Sequence, residues 1–171
     1  FGEQYFLPKP FGKINVEVGD ADEYVVRKKL KKLRFVEVGL WKELIAGKKL
    51  TVRNWQLKGA FLLPPDFPEY QFLVPFTSQV NQRVSVPRGD GMEAEPFFFE
   101  WTYFGANSGL YCLLDAPADK KDELLSLFER LGEEGLGTDR NVGGGKFEVE
   151  STVLSIPEIA GADATLLLSL F

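Results

Sequence analysis

Residues 97–115 read FFFEWTYFGANSGLYCLLD, and the pattern of this stretch decides the fold that the sequence predicts. Its two ends, 97–104 and 109–115, are runs of aromatic and apolar residues. Between them stands Gly105-Ala106-Asn107-Ser108, which has the composition of a tight connection between two strands. We therefore expect two strands joined by a short turn.

A helix and a third strand are predicted to follow. Asp119 stands three residues before Asp122, an arrangement similar to the capping box that begins a helix. The helix would bury one apolar stripe, formed by Leu124, Leu125, Phe128 and Leu131. Residues 147–154 then alternate as a half-buried strand does. Strand, strand, helix and strand form half of a ferredoxin-like unit, so we predict an α+β fold, RRM-like, with an antiparallel-rich sheet and helices on one face.

Four further segments precede this half. Residues 5–10 contain two prolines, which exclude an interior strand or helix and leave an ordered loop or an extended arm. Residues 25–36 predict a short basic helix that runs into a strand. Residues 40–46 predict a second helix, with Gly47 placed to cap its end. Residues 64–96 are rich in Pro, Gly, Asn and Gln and predict a long loop or a projecting hairpin.

The composition excludes several kinds of active site. The 171 residues include no histidine and one cysteine, Cys112. These counts rule out Ser-His-Asp and Cys-His nucleophile systems, histidine-containing zinc sites and intrachain disulfides. No clustered Asp pair of the kind that holds magnesium is found either. We therefore expect a protein that is not an enzyme and that uses no metal or cofactor.

The hydropathy of the chain gives no sign of a membrane protein. No window reaches the roughly 18–20 apolar residues that a spanning helix needs. Residues 1–20 already carry Glu3, Lys9, Lys13 and Glu17 and lack the apolar centre of a signal peptide. We expect a soluble, cytoplasmic protein with no membrane partner.

The net charge of −5 hides a segregation along the chain. Residues 25–58 contain eleven Lys/Arg and two Glu, a net charge of +9, while the other residues contain nine Lys/Arg and 23 Asp/Glu, a net charge of −14. Local potential rather than net charge governs the binding of phosphates, so this basic segment is a candidate surface for nucleic acid. The alternative is that its run RKKLKKLR at 27–34 is a solvated helix face.

The stretch 135–146 reads GLGTDRNVGGGK. Its glycines permit positive φ angles and bring amide N–H groups close to a large anion, with Arg140 and Lys146 nearby. It is not a Walker A loop, because Lys146 is followed by Phe147 rather than by Ser or Thr. It is not a Rossmann fingerprint, because it precedes a predicted strand. Taken alone it is either a phosphate-binding loop or a flexible connector.

This loop resembles the glycine-rich signature of the repeat-associated mysterious proteins (RAMPs), which are RNA-binding subunits of CRISPR effector complexes. In that superfamily the signature lies between the last helix and the last strand of a ferredoxin-like domain. Within it, the chain is most similar to the subunit-four family of the type III-A Csm effector complex. Besides the loop, the matching stretches are Tyr5–Pro10, Lys28–Leu33, Tyr103–Tyr111 and Leu166–Leu170.

The resemblance implies a non-catalytic subunit that caps the 5′ end of the CRISPR RNA (crRNA) and grips its repeat-derived tag. The implied protein partners are the large polymerase-like Csm subunit and a backbone RAMP subunit, with target RNA nearby. It also implies a hairpin thumb between guide and target, for which the candidate is 80–91, where Asn81 and Arg83 loosely resemble the family's Asn-x-x-Arg segment. The candidate RNA-binding residues are Lys9, Lys28, Lys29, Asn81, Arg83, Arg88, Gly135, Gly137, Arg140, Gly143, Gly144, Gly145 and Lys146.

The same resemblance sets the expected domain organisation. Residues 1–79 would be part of an N-terminal ferredoxin-like domain that carries the basic segment, 80–96 the thumb-like hairpin, and 97–171 a ferredoxin-like half with the glycine-rich loop. Family members begin with a strand and a helix that would precede Phe1, and their chains continue beyond the position of Phe171. We therefore expect the chain to be a fragment of a longer protein.

Several alternatives stay open. One aromatic cluster either packs in the core or stacks against bases: Phe97, Phe98, Phe99 and Trp101. We expect core packing, because a small sheet must bury one face. We also expect Cys112 in the core, and Lys9 is either a rigidly presented cation or an unimportant loop residue. Two other functions compete with the crRNA subunit, namely a RAMP endoribonuclease that processes precursor crRNA and a protein-only scaffold.

Overall fold

The computed structural model describes residues 3–19, 22–68, 72–86, 89, 93–155 and 161. Eight strands and three α-helices among these residues make the fold α+β, as predicted. The strands are β1 (Phe6–Pro8), β2 (Val16–Val18), β3 (Phe35–Glu37), β4 (Leu50–Val52), β5 (Leu57–Lys58), β6 (Phe61–Leu62), β7 (Phe76–Ser85) and β8 (Glu95–Phe104). The helices are α1 (Glu23–Leu30), α2 (Val38–Ile45) and α3 (Lys121–Glu134). The chain forms two compact units, the second of which is Gly109–Ser155.

A four-stranded mixed sheet lies at the centre of the first unit, in the order β1-β3-β6-β5. Strand β3 pairs antiparallel with β1 and parallel with β6, while β5 pairs antiparallel with β6. This register places four apolar side chains in one row across the sheet, and all of them are buried: Leu7, Val36, Leu62 and Leu57. They share one core with Val26 of α1 and Trp41 of α2. Each buried aliphatic side chain stabilises the unit by about 1.5–3 kcal/mol.

The two helices of this unit form where the sequence predicts them. The side chain of Asp22 accepts a hydrogen bond from the Val25 N–H (3.2 Å) and begins α1. The Glu37 side chain accepts from the first amides of α2, and Gly47 follows the end of α2 with a φ of +75°. The short basic helix that runs into a strand is therefore confirmed, as is the second helix with its terminal glycine.

A long hairpin follows, formed by β7 and β8. Its ten cross-strand pairs run from Phe76 opposite Phe104 to Ser85 opposite Glu95. The base of the hairpin packs on the four-stranded sheet, where the rings of Phe76 and Phe61 lie 6.2 Å apart. The sequence places a long loop or a projecting hairpin within 64–96. The structure has the first strand of a hairpin in that segment, beginning before the predicted thumb at residue 80, but the second strand, β8, runs on to Phe104, outside it.

The strand predictions for 109–115 and 147–154 are wrong, because neither segment forms a β-ladder. The physical reason is that β8 pairs with β7, the strand before it, along its whole length, instead of with 109–115. The helix begins at Lys121 rather than at Asp119, because a 3-10 turn, Ala118–Lys120, follows Pro117. Its N-cap, Lys120, makes no capping hydrogen bond through its side chain, so the predicted capping box is absent.

Candidate nucleic-acid interface

Lys9 is held in a fixed position beside the basic segment. Its backbone N–H donates to the Arg34 carbonyl (2.7 Å), which extends the β1–β3 ladder by one residue. The Trp41 indole N–H donates to the Pro8 carbonyl (3.1 Å), and the Arg34 N–H donates to the Ala60 carbonyl (2.9 Å). The structure therefore pairs the backbones of Lys9 and Arg34, and the prolines on either side of Lys9, Pro8 and Pro10, stiffen the segment that carries it.

The basic residues of α1 and of the turn after it point away from the core. Only the first of them, Arg27, forms an ion pair within the helix, with Glu23 at 2.5 Å. No carboxylate among the described residues lies within ion-pairing distance of the other cations, which are Lys28, Lys29, Lys31, Lys32 and Arg34. The same helix buries Val26 completely. Lys9, Arg34 and these lysines form what we call the basic surface.

Two other lysines of the positive segment are neutralised by carboxylates. Lys48 lies 3.8 Å from Glu43, and Lys49 forms an ion pair with Glu17. The hydrogen bond and the charge of Lys49 lower the pKa of Glu17. Glu43 is already counted in the net charge of +9 for residues 25–58, but Glu17, the partner of Lys49, lies outside that segment, so +9 overstates the charge that is available to a phosphate.

The glycine-rich loop is closed on itself by backbone hydrogen bonds. The Leu136 N–H donates to the Gly145 carbonyl (2.9 Å), and the Gly144 N–H donates to the Asp139 carbonyl (3.0 Å). A 3-10 turn, Arg140–Val142, occupies its centre. Gly135, Gly137, Gly143 and Gly145 all have positive φ angles. The loop is therefore a folded structure in the described chain, which disfavours the flexible connector.

This closure changes the predicted chemistry of the loop. Amides of Leu136, Gly143 and Gly144 donate to carbonyls of the loop, so they are not directed at an anion. The side chains of Arg140 and Lys146 are exposed and carry the positive charge of this segment. Arg140 and Lys146 are therefore the cations that this loop offers to a phosphate, and the glycines with positive φ angles shape its backbone.

The hairpin places Asn81 and Arg83 on one face, opposite Phe99 and Phe97. Since side chains alternate along a strand, the same face of β8 carries Phe97, Phe99, Trp101 and Tyr103, which we call the aromatic row. The guanidinium of Arg83 lies over the ring of Phe99, at 4.6 Å from its centroid, and 5.7 Å from that of Trp101. These distances are typical of cation–π contacts.

The expected core positions of several residues are wrong. Phe97 and Phe98 are 43% and 74% exposed, and Phe99 and Trp101 are only half-buried. Cys112 is exposed as well, because the segment that holds it is not part of a sheet. A two-stranded hairpin has no second layer to cover either face, so the largest side chains of β8 stay accessible.

The structure separates the candidate residues into three groups. Lys9, Lys28 and Lys29 belong to the basic surface, and Asn81 and Arg83 belong to the hairpin. The third group is the glycine-rich loop, with Arg140 and Lys146, and it lies in the second compact unit. Arg88 and the Leu166–Leu170 stretch lie outside the described residues.

Sequence reasoning missed two structural contributors to these groups. Gly132 of α3 is buried where the chain after the loop returns, and a Cβ there would lie 2.3 Å from the Phe147 carbonyl oxygen. The Trp41 indole anchors the segment that carries Lys9. A glycine in the interior of an amphipathic helix is a signal that could have found Gly132, because glycine is unfavourable there unless a close contact requires it.

Comparisons with known proteins leave the family open. No family model matches the chain, and no curated protein matches it. In the part of the chain that the structure describes, no helix is long and apolar enough to cross a membrane. Those same residues contain no group of three metal-ligating side chains.

Proposed function

We propose that this chain is a non-catalytic, RNA-binding subunit of a type III-A CRISPR effector complex, with ferredoxin-like RAMP architecture. It would hold the 5′ repeat-derived tag of the crRNA and join the large polymerase-like subunit to the backbone subunits. The observation that carries RNA binding is the basic surface, in which backbone hydrogen bonds fix Lys9 and Arg34 and no described carboxylate pairs with the lysines at 28, 29, 31 and 32. The choice of crRNA rests on the sequence resemblance to RAMP proteins.

Phosphate recognition by this surface follows from its electrostatics. An exposed ammonium or guanidinium that has no carboxylate partner attracts a phosphate without first breaking an ion pair. Each phosphate contact with a single strand displaces counterions and makes the logarithm of the binding constant fall by about 0.7 per unit of log salt. Such contacts position the RNA and carry no base information by themselves.

The test compares two variants of the full chain, a triple substitution in the basic surface and a double substitution at cations that are paired with carboxylates. Lys28→Ala, Lys29→Ala and Arg34→Ala together remove three cations of the basic surface, of which Lys28 and Arg34 are exposed and Lys29 is half-buried. If each contacts a phosphate, the salt slope of binding to single-stranded RNA should become shallower by about 2. The matched control is Lys48→Ala with Lys49→Ala, which removes cations that are already paired with carboxylates. Equal effects of the two sets, or RNA binding with no salt dependence, would contradict the proposal.

The glycine-rich loop is tested in the same assay. Replacing Arg140 and Lys146 with alanine should weaken guide retention and reduce the salt slope by about 0.7 per lost phosphate contact. Unchanged affinity and an unchanged slope would exclude the loop from the RNA path.

Two further measurements separate the competing functions. Purification from cells that carry the neighbouring subunits should recover small RNA with a uniform 5′ end. Cleavage of repeat RNA in the absence of metal would favour the endoribonuclease, and negligible affinity for RNA at low salt would favour the protein-only scaffold.

A further inference from the structure

The aromatic row of the hairpin is a surface feature that phosphate binding does not explain. It presents four rings at every second position of β8, namely Phe97, Phe99, Trp101 and Tyr103. Phe97 and Tyr103 are 43% and 47% exposed. Residues two positions apart on a strand lie about 6.8 Å from each other, so the four rings are neighbours along one face, exposed at Phe97 and Tyr103 and half-buried at Phe99 and Trp101. Exposed aromatic side chains in such numbers mark a binding surface rather than ordinary packing.

The side chains around the row identify the chemistry of its partner. On the facing strand, Thr77, Gln79, Asn81 and Arg83 stand opposite the four rings. Amide and hydroxyl groups can donate to and accept from the edges of bases, and a guanidinium attracts phosphate. The carboxylate of the hairpin on this face, Glu95, lies two cross-strand pairs beyond Arg83, opposite Ser85.

Trp101 and Tyr103 are the pair best arranged to accept a base. Their ring centroids lie 6.4 Å apart and their planes differ by 30°, so one flat ring system can lie against both. Phe99 and Trp101 instead meet at 64°, and Arg83 lies over both of them. The Arg83 guanidinium therefore makes cation–π contacts with two rings of the row.

We propose that the aromatic row binds unpaired bases of a single-stranded nucleic acid by stacking, with Trp101 and Tyr103 as the principal contacts. This inference rests on the proposed RNA-binding function and adds to it a second kind of contact, to bases rather than to phosphates. Stacking on aromatic side chains tolerates every base, since each has a π-face, so the row binds without strong sequence preference.

The opposite face of the same strand supplies a matched control. Phe98 is 74% exposed and lies on the other face of β8, which it shares with Glu100, and it stands opposite Gln82. Phe98→Leu and Trp101→Leu therefore remove an accessible ring from the same strand, and only the second removes it from the aromatic row. Trp101→Phe retains a ring and should retain most of the binding.

The experiment measures the affinity of the full chain for an oligouridylate about ten nucleotides long and for its abasic counterpart. Trp101→Leu should weaken binding of the oligouridylate by about 5- to 150-fold. Phe98→Leu should leave it unchanged, and the abasic oligomer should bind wild type and Trp101→Leu equally. Quenching of tryptophan fluorescence by the oligouridylate should be lost in Trp101→Phe, which checks the contact in a folded protein that keeps a ring at this position.

The outcomes distinguish failure of this inference from failure of the proposed function. Salt-dependent binding with equal affinities of Trp101→Leu and Phe98→Leu would overturn base stacking and leave RNA binding intact. The same conclusion follows if Trp101→Leu weakens binding of the abasic oligomer as much as binding of the oligouridylate. It also follows if Trp101→Phe shows the same fluorescence quenching as wild type. A chain that binds neither oligomer overturns the proposed function and the stacking with it.

Discussion

Two glycines of the glycine-rich loop should differ sharply in their tolerance of alanine. Gly143 and Gly145 both have positive φ angles, +84° and +72°. A Cβ on Gly145 would lie 1.8 Å from the Leu136 carbonyl oxygen and 2.7 Å from the Leu136 nitrogen, whereas a Cβ on Gly143 meets nothing within 4 Å. The two substitutions therefore share the cost of a left-handed alanine and differ in the steric overlap.

The difference can be estimated from these contacts. A left-handed alanine costs about 1–2 kcal/mol, which is the expected loss for Gly143→Ala. In Gly145→Ala the backbone of Leu136 must also move. This movement breaks the hydrogen bond from the Leu136 N–H to the Gly145 carbonyl (2.9 Å). Loss of that bond adds about 1 kcal/mol, and displacement of the backbone adds to it, so the total loss is about 2–4 kcal/mol.

Amide hydrogen exchange measures this prediction at the loop itself. Gly145→Ala should abolish protection of the Leu136 amide, while Gly143→Ala should retain it, because only the first displaces its hydrogen-bond acceptor. Urea unfolding of both variants gives the free energies for comparison. Equal losses of stability, or a protected Leu136 amide in Gly145→Ala, would refute the steric reasoning.

Two further predictions concern the first compact unit. Gln56 is buried, accepts from the Arg53 N–H and donates to the Leu63 carbonyl, both at 2.9 Å. Gln56→Ala should therefore cost about 2–4 kcal/mol in urea unfolding, against less than about 0.5 for the exposed Gln82→Ala, and similar losses would contradict this. Lys49→Ala should raise the pKa of Glu17 in an NMR titration, and an unmoved pKa would contradict the pairing. Because the pairing lowers that pKa, its stabilisation is present at neutral pH and is lost as the pH falls through the folded-state pKa.

Local signals made part of the fold predictable. The basic helix and the second helix follow from apolar spacing and terminal residues within short windows, and both form as α1 and α2. Strand β8 was equally predictable from its aromatic run. Its partner was not, because strand propensity does not say which neighbour completes the ladder. Strand β7 reads FTSQVNQRVS. One face is polar throughout, and Ser78 and Gln82 interrupt the apolar residues of the other face, so a regular apolar alternation is lacking.

The candidate site was predictable in its residue types and unpredictable in its assembly. Charge counting along the chain finds the positive segment but does not separate exposed cations from paired ones such as Lys48 and Lys49. The position of Lys9 beside Arg34 depends on the register between β1 and β3, which is a tertiary property. The aromatic row was assigned to the core by size alone, and that rule fails on a hairpin without a covering layer.

A nucleotide offers two chemically different parts, and this chain presents separate surfaces suited to them. The basic surface acts on the phosphate through Coulomb forces that salt screens, whereas the aromatic row acts on the base through contact and desolvation, which salt affects little. Neither surface contains a group of metal ligands among the described residues, and neither requires one for binding. Retention of a single strand by two such surfaces depends on their cooperation, because each alone gives a weak contact whose effective concentration is set by the other. Under the proposed function, the two surfaces would act together on a strand whose bases are not all occupied by pairing.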